Sequence, residues 1–166
     1  MNRVILSAAI VLALGVLAVF TPPTTRNTSA ATTSVCFGQA WPSGYIRTNF
    51  YFSYNCGNYP QYPNTSFLES YYDKPGGSVM GVCNDNFIPT NWVLFETYWN
   101  STQCGGSPAS KNMAKIRAVA ASDTSLSICA NSPIPAGWHF VSQYQSSYGC
   151  GGLNAPYHLM WIIARN

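Results

Sequence analysis

Residues 83–104 read CNDNFIPTNWVLFETYWNSTQC. This segment decides the fold, because its pattern occurs three times in the chain. In each copy an opening cysteine is followed by a proline, a turn residue, an aromatic-rich stretch and a closing cysteine. The opening cysteines are separated by steps of 47 and 46 residues. Self-similarity at a fixed period of this length is the signature of a repeat protein. The sequence therefore predicts three copies of one unit.

The copies agree position by position in the turn that precedes the aromatic-rich stretch. Six residues after each opening cysteine stands a proline: Pro42, Pro89 and Pro135. Two residues later comes a residue that tolerates left-handed backbone: Gly44, Asn91 and Gly137. Proline suits the second position of a β-turn, and Gly or Asn suits its end. The spacing predicts a β-turn at this point in every copy.

Strands are predicted on both sides of the closing cysteine. The stretches after the turn are rich in aromatic and β-branched residues, which favour strands: 45–52, 92–99 and 138–145. Partner strands are predicted at 66–72, 113–119 and 157–164. A further short strand could surround each opening cysteine, and no helix is expected after the N-terminal segment. Each last stretch is preceded by an asparagine: Asn64, Asn112 and Asn154.

The predicted fold class is all-β, with three disulfide-stapled units of about 46 residues. Neither face of the strand after the turn is cleanly polar, which indicates cover on both sides, as in a closed barrel or stacked sheets. The architecture resembles a pseudo-threefold β-trefoil or β-prism, and the alternative is a linear row of three hairpin modules. The recurring aromatics are predicted to pack in the core: Tyr45, Trp92, Trp138, Tyr51, Tyr98 and Tyr144.

Six cysteines in an exported chain imply a disulfide framework. Equivalence of the copies leaves two patterns. In the first, each copy closes on itself: Cys36–Cys56, Cys83–Cys104 and Cys129–Cys150. In the second, the pairing is cyclic between copies: Cys56–Cys83, Cys104–Cys129 and Cys150–Cys36. We favour the first, because each unit then carries its own closure. No cysteine pair has the short spacing of a zinc site, so neither a metal nor a cofactor is expected.

The N-terminus indicates export. Residues 1–20 combine one early arginine with an uninterrupted apolar run, which is typical of a signal peptide. An uncleaved anchor is the alternative, and only then is a membrane expected as a partner. Residues 21–34 are rich in Thr, Ser and Pro and are predicted to form a flexible linker. The repeat domain is placed at 35–166, with copies at 35–81, 82–127 and 128–166.

Composition excludes some functions. Charged residues make up 8% of the chain and the net charge is +3, without a basic run, which argues against nucleic-acid binding. In a eukaryotic host, N-glycosylation sequons would begin at Asn27, Asn64 and Asn100.

The chain offers few candidate catalytic residues. Glu69 and Glu96 could approach each other as a pair of acids. His139 and His158 could serve as bases, but each aligns with apolar residues of the other copies, which favours semi-buried packing.

The aromatic surplus, 14% of residues, points to binding. Tyr and Trp present a flat apolar face and a polar rim, which suits sugars and protein surfaces. The candidate ligand-binding residues are the aromatics that do not recur: Tyr59, Tyr62, Tyr71, Tyr72, Trp99 and Tyr148. The chain is therefore predicted to be a secreted, non-catalytic module that binds carbohydrate or a cell-surface partner. The alternatives are a secreted inhibitor or effector of one target protein and a small secreted hydrolase.

Overall fold

The computed structural model describes residues 31–57, 63–105, 111–147, 149–151 and 158–166. These residues form strands and a single turn of 3₁₀-helix, Tyr54–Cys56. The strands are β1 (Thr32–Cys36), β2 (Tyr45–Tyr51), β3 (Thr65–Ser70), β4 (Val79–Cys83), β5 (Trp92–Tyr98), β6 (Met113–Ala118), β7 (Ser125–Cys129), β8 (Trp138–Ser146) and β9 (His158–Arg165). The all-β prediction is confirmed. Within the described ranges, no helix is long and apolar enough to cross a membrane.

Each copy of the repeat forms one three-stranded antiparallel sheet. The strand orders are β1-β3-β2, β4-β6-β5 and β7-β9-β8, so the last strand of each unit lies in the centre. The centre strands carry side chains with no exposed surface, Leu68, Ile116 and Ile163. The short strand expected around each opening cysteine is present. It begins before the predicted unit boundaries, because the cysteine marks its end. Strand β1 thus includes the last three residues of the predicted linker.

The turn before the second strand has the expected left-handed residue. The φ angles of Gly44, Asn91 and Gly137 are 83°, 63° and 78°. The turn itself differs in one respect from the prediction. The Trp92 N–H donates to the Pro89 carbonyl at 3.0 Å, and the third unit repeats this bond. Proline therefore occupies the first position of the hydrogen-bonded turn, and the Gly or Asn occupies the third.

The pairing of cysteines within units is confirmed. Each bond joins the end of the first strand to a residue that follows the second strand, over Cα–Cα distances of 5.3, 5.4 and 5.3 Å. The closing cysteine is thereby fixed beside the first strand of its own sheet. The described residues include no free cysteine.

Every second strand contains a β-bulge at the same place. The register with the centre strand slips between Arg47 and Asn49, between Leu94 and Glu96, and between Phe140 and Ser142. The extra residues are Thr48, Phe95 and Val141. A bulge bends its strand and turns one carbonyl away from the ladder. This feature becomes important where one unit meets the next.

The described residues form no closed barrel and no trefoil, which corrects the β-trefoil expectation. Consecutive units contact each other through β2 with β4 and through β5 with β7. Apolar clusters span these boundaries, since Ile46, Trp92 and Cys129 from the three units belong to one cluster. Strand β8 is exposed along most of its length in the described structure. The contacts agree with the alternative arrangement, a row of modules.

The recurring aromatics divide into two groups. Trp92 and Trp138 are buried, as expected for core residues, and Tyr45 and Tyr98 are half-buried. Tyr51 and Tyr144 are exposed, so the prediction that the recurring tyrosines pack in the core is wrong for these two. The Tyr51 hydroxyl instead donates to Ser34 Oγ at 3.0 Å, at the outer face of its sheet.

Replacing the central isoleucine of the second sheet tests where the core lies. We expect Ile116→Ala to lower the free energy of unfolding by about 2–5 kcal/mol, because it leaves a cavity in a fully buried position. Ile134→Ala, the same change at a partly exposed site, should cost less than about 1 kcal/mol. Denaturant titrations of the oxidised proteins measure both. Similar losses in the two variants would contradict this placement of the core.

Two cystines with nearly equal loops allow the effect of burial to be isolated. The chain-entropy model assigns about 3 kcal/mol to each loop, and the loops close over separations of 20 and 21 residues. Cys83 and Cys104 are buried, whereas Cys36 and Cys56 are half-buried. The double variant C83A/C104A should therefore lose about 2 kcal/mol more than C36A/C56A. Equal losses in guanidinium unfolding would show that burial of the second cystine contributes nothing.

Candidate functional site

A cleft of about 520 Å³ lies at the boundary between the second and third units. We call it the Trp99 cleft. Its wall from the second unit includes Glu96, Tyr98 and Trp99, and Gly149 and Met160 of the third unit complete it. The β-bulge at Phe95 directs the end of β5 toward the third unit. The cleft therefore exists only because the two units are joined.

Thr97 holds the two sides of the cleft together. This side chain is buried, and its hydroxyl donates to the Gly149 carbonyl at 3.1 Å and accepts from the Gly151 N–H at 3.1 Å. The Thr97 N–H also donates to the Gly149 carbonyl, at 3.2 Å. Because both partners belong to the loop around the third cystine, these bonds fix that loop against β5.

Glu96 and Lys111 are charged side chains that line the Trp99 cleft, and Lys115 forms an ion pair with Glu96. Lys115 pairs with Glu96 at 2.8 Å and lies 5.4 Å from the centre of the Tyr98 ring. Lys111 donates to the Gly149 carbonyl at 2.7 Å. Burial lowers the pKa of Lys111, against the opposing effect of the Glu96 charge. Burial raises the pKa of the Tyr98 hydroxyl; the charge of Lys115 opposes this effect and that of Glu96 adds to it. The cleft thus combines aromatic rings with donors and acceptors of both charges.

His158 lies behind this cleft, in a position that the sequence alignment misplaced. Met160 pairs with Cys129 as Met113 pairs with Cys83, so Ile163, not His158, is the counterpart of Leu68. His158 is buried as expected. Burial lowers its pKa, and the charge of Lys111 lowers it further. Its Nδ1 has no hydrogen-bond partner among the described residues. Burial therefore favours the neutral form of this histidine.

His139 does not pack as the sequence predicts. It is exposed, and its Nδ1 lies 2.6 Å from Asn166 Oδ1. Its counterpart in the second unit, Val93, is buried. The difference arises because Val93 packs against the third unit, with Leu126 and Ile128, whereas the strand of His139 belongs to the last unit of the row.

The structure separates the predicted ligand-binding aromatics. Tyr59, Tyr62 and Tyr148 lie outside the described residues, although Ser147 and Gly149, on either side of Tyr148, line the Trp99 cleft. Tyr71 and Tyr72 line a second, smaller cleft of about 280 Å³. There Tyr71 packs edge-on against Phe87 and Trp92, and Tyr72 is 86% exposed. Among the described members of the set, Trp99 thus lies in one cleft and Tyr71 and Tyr72 lie in another.

A third cleft, of about 520 Å³, was not predicted from the sequence. Trp138 and Arg165 line it, and the Arg165 guanidinium carbon lies 5.3 Å from the Trp138 ring centre. The guanidinium also donates to the carbonyls of Ala120 and Ala121, at 2.8 and 3.0 Å. Recurrence of the aromatic at position 138 was the available signal, but it indicated a core residue and Trp138 is indeed buried.

Asp123 braces the turn beside this third cleft. It accepts from the Ala120 N–H at 2.7 Å and from Arg117 at 2.8 Å. Burial by itself would raise the pKa of Asp123. The hydrogen bonds from Ala120 and Arg117, with the charges of Arg117 and Arg165, lower this pKa below its ordinary value of 3.8. Its role in the described structure is to hold the Arg117 side chain and the turn.

The other acids are also engaged. Glu69 pairs with Lys74 at 2.7 Å, as Glu96 does with Lys115. Asp85 pairs with Arg47, and Asp73 accepts from the Ser70 hydroxyl. Glu69 and Glu96 thus each bind a lysine of their own unit instead of facing each other as a pair of acids. No group of three or more metal-ligating side chains occurs in the described ranges.

The chain has no significant match among protein-family models, curated proteins or solved structures. The function is therefore argued from the geometry of the clefts and from the repetition of the unit.

The pH dependence of stability tests the role of Asp123. We expect Asp123→Asn to lower the free energy of unfolding by about 1–3 kcal/mol at neutral pH, because charge-assisted hydrogen bonds are lost. Since the folded-state pKa is lowered, this contribution is complete above pH 3.8 and is lost as the pH falls through the folded-state pKa. Asp73→Asn, at an exposed acid, is the control. A difference between wild type and D123N that persists at the acid end would contradict this assignment.

Proposed function

We propose that the chain is an exported, non-catalytic binding module that recognises a carbohydrate in the Trp99 cleft. One observation carries the proposal. The Tyr98 and Trp99 side chains lie beside Glu96 and Lys111 in a single cleft. A sugar ring has an apolar face of C–H groups and a rim of hydroxyls, so it needs an aromatic surface next to charged donors and acceptors. The cleft offers both.

The polar groups of the cleft are held in place before any ligand arrives. Glu96 and Lys115 fix each other, and the Lys115 ammonium also lies over the Tyr98 ring. About a third of each of these two side chains remains accessible to solvent. A ligand hydroxyl could donate to the Glu96 carboxylate or accept from Lys115 without rearranging the pair. Such preorganisation reduces the entropy lost on binding.

The size of the cleft fits a short oligosaccharide. A volume of about 520 Å³ falls within the range of roughly 300–1,000 Å³ found for small-molecule sites. The cleft is open, and its walls come from two units, so a longer chain could continue beyond it. The second cleft, with Tyr71 and Tyr72, offers a separate aromatic surface. Two weak sites on one chain would increase the avidity for a polysaccharide.

Export of the chain supports an extracellular ligand. Three cystines in a chain of this size are typical of proteins that fold in an oxidising compartment. The apolar segment 1–20 is our basis for proposing secretion, with membrane attachment if that segment is retained. A polysaccharide or a cell-surface glycan is then the ligand that the protein would meet.

Removal of one indole tests the proposal. Glycans that bind the folded protein on an array provide the ligands for titration calorimetry. We expect Trp99→Ala to weaken their affinity at least about tenfold, since stacking on the aromatic surface is lost. Tyr54→Ala removes an exposed aromatic of the first unit that does not line the cleft, and it should leave the affinity unchanged.

Two results would overturn the proposal. One is an array on which folded protein binds no glycan. The other is full affinity in the Trp99→Ala variant. The same samples should be analysed for cleaved glycan, because turnover that Glu96→Gln abolishes would favour a hydrolase. Capture of a single protein and no glycan would favour the alternative of an inhibitor or effector.

A further inference from the structure

The two junctions between units are built in the same way. At the first junction, Cys104 Sγ lies 3.6 Å from the carbonyl oxygen of Thr48. At the second, Cys150 Sγ lies 3.6 Å from the carbonyl oxygen of Phe95. Thr48 and Phe95 are the bulge residues of their units. Since a cystine sulfur carries no hydrogen, this is a packing contact between the bulge of one unit and the cystine of the next.

A second contact also recurs at both junctions. It joins the residue before the bulge to the residue three positions after the next opening cysteine. Asn86 Nδ2 donates to the Arg47 carbonyl at 2.7 Å, and Ser132 Oγ accepts from the Leu94 N–H at 2.9 Å. Asn86 and Ser132 occupy equivalent positions in their units. The side chain donates to a backbone carbonyl at the first junction and accepts from a backbone N–H at the second, but the two hydrogen bonds occupy the same place in their junctions.

The first unit presents its half of this junction without a partner in the described structure. We call it the head face and define it by Cys36, Gln39, Cys56 and Gly57. Both cysteines are only half-buried and Gln39 is exposed. No atom lies within 4 Å of where a Cβ on Gly57 would be. A Cβ on Gly105, its counterpart in the second unit, would collide with the Phe50 ring of the first unit.

The third unit presents the complementary half. We call it the tail face and define it by Phe140, Val141 and Gln143 of β8. Phe140 and Val141 are 45% and 52% exposed, and Gln143 is exposed as well. The residues of β5 at these three positions, Leu94, Phe95 and Thr97, are buried or half-buried against the third unit. The bulge at Val141 is formed, so the tail face has the geometry of the two occupied junctions.

We propose that the tail face of one molecule binds the head face of a second copy of this chain. The Val141 bulge would lie against the Cys36–Cys56 cystine of the second molecule. The Gln39 carboxamide oxygen accepts from the Cys36 N–H at 3.2 Å, and its Nε2 would donate to the carbonyl of Phe140 as Asn86 Nδ2 does to that of Arg47. The two faces are different surfaces, so the interface is heterologous and a molecule that has bound one partner keeps a free face for the next.

This inference is independent of the carbohydrate proposal. It depends on continuity with the two internal junctions, which the chain already uses. Burial of two exposed apolar side chains favours association, because apolar surface is removed from water. Terminal units of repeat proteins ordinarily carry a polar outer face that keeps them soluble, and Phe140 and Val141 depart from that rule.

The test uses one variant of each face. The exported chain, with its cystines formed and its N-terminus determined by mass spectrometry, is studied by sedimentation velocity over a hundredfold concentration range. We expect the wild-type protein to form linear oligomers whose mean length increases with protein concentration. Val141→Glu on the tail face and Gln39→Glu on the head face should each weaken association at least about tenfold. Val79→Glu, at an equally exposed valine of the second unit, should associate like the wild type.

Mixing the two variants tests the polarity of the interface. The Val141→Glu protein keeps its head face and the Gln39→Glu protein keeps its tail face. An equimolar mixture should therefore form dimers of one molecule of each and nothing longer. A wild-type protein that stays monomeric throughout would overturn the proposal, and would indicate another occupant of the tail face, such as residues 1–30 or a different protein. Association of the Val141→Glu protein with itself would also overturn it.

Discussion

The contact between the β-bulge of one unit and the cystine of the next is the constraint on which the structure depends. A three-stranded sheet of five- to nine-residue strands is close to the smallest sheet that can be stable by itself, so packing between sheets adds to the stability of each unit. Each bulge turns a backbone carbonyl outward, and each cystine places a compact apolar group where that carbonyl arrives. Apolar side chains of adjacent sheets then form shared clusters across the boundary. The cystine thus stabilises its own unit and also supplies the surface against which the preceding unit packs.

The Trp99 cleft is a consequence of this junction. Trp99 and Glu96 follow the bulge of the second unit, whereas Gly149 and Met160 belong to the third. Thr97 fastens the cystine loop of the third unit to β5. Any change that loosens the junction would therefore move one wall of the cleft relative to the other. The shape of the cleft and the stability of the junction therefore depend on the same few side chains.

The sequence predicts the structural features that recur in all three units and those that depend only on neighbouring residues. Equal spacings leave two cystine pairings, of which the favoured one within units is the one observed. The recurring Gly or Asn predicts the left-handed turn residue. The way in which units meet could not be predicted, because a bulge adds one residue to a strand and leaves no mark in composition. The exposure of His139 could not be predicted for the same reason. The equivalent residues of the first two units are apolar because the following unit covers them, and no further unit covers His139 in the described structure. Trp99 is a candidate binding residue from the sequence because it does not recur, whereas only the folded structure places the charged side chains of Glu96 and Lys111 beside it.

The bulge has one more consequence, for how such a chain could arise and change. A duplicated segment of about 46 residues, inserted in frame between two existing ones, would find a suitable neighbour on each side. It would add one more contact of the kind that already joins β2 to β4 and β5 to β7. Gene duplication or deletion would then change the length of the protein by one whole unit at a time. Only the residues on the outer faces of the two end units would have to adapt to solvent.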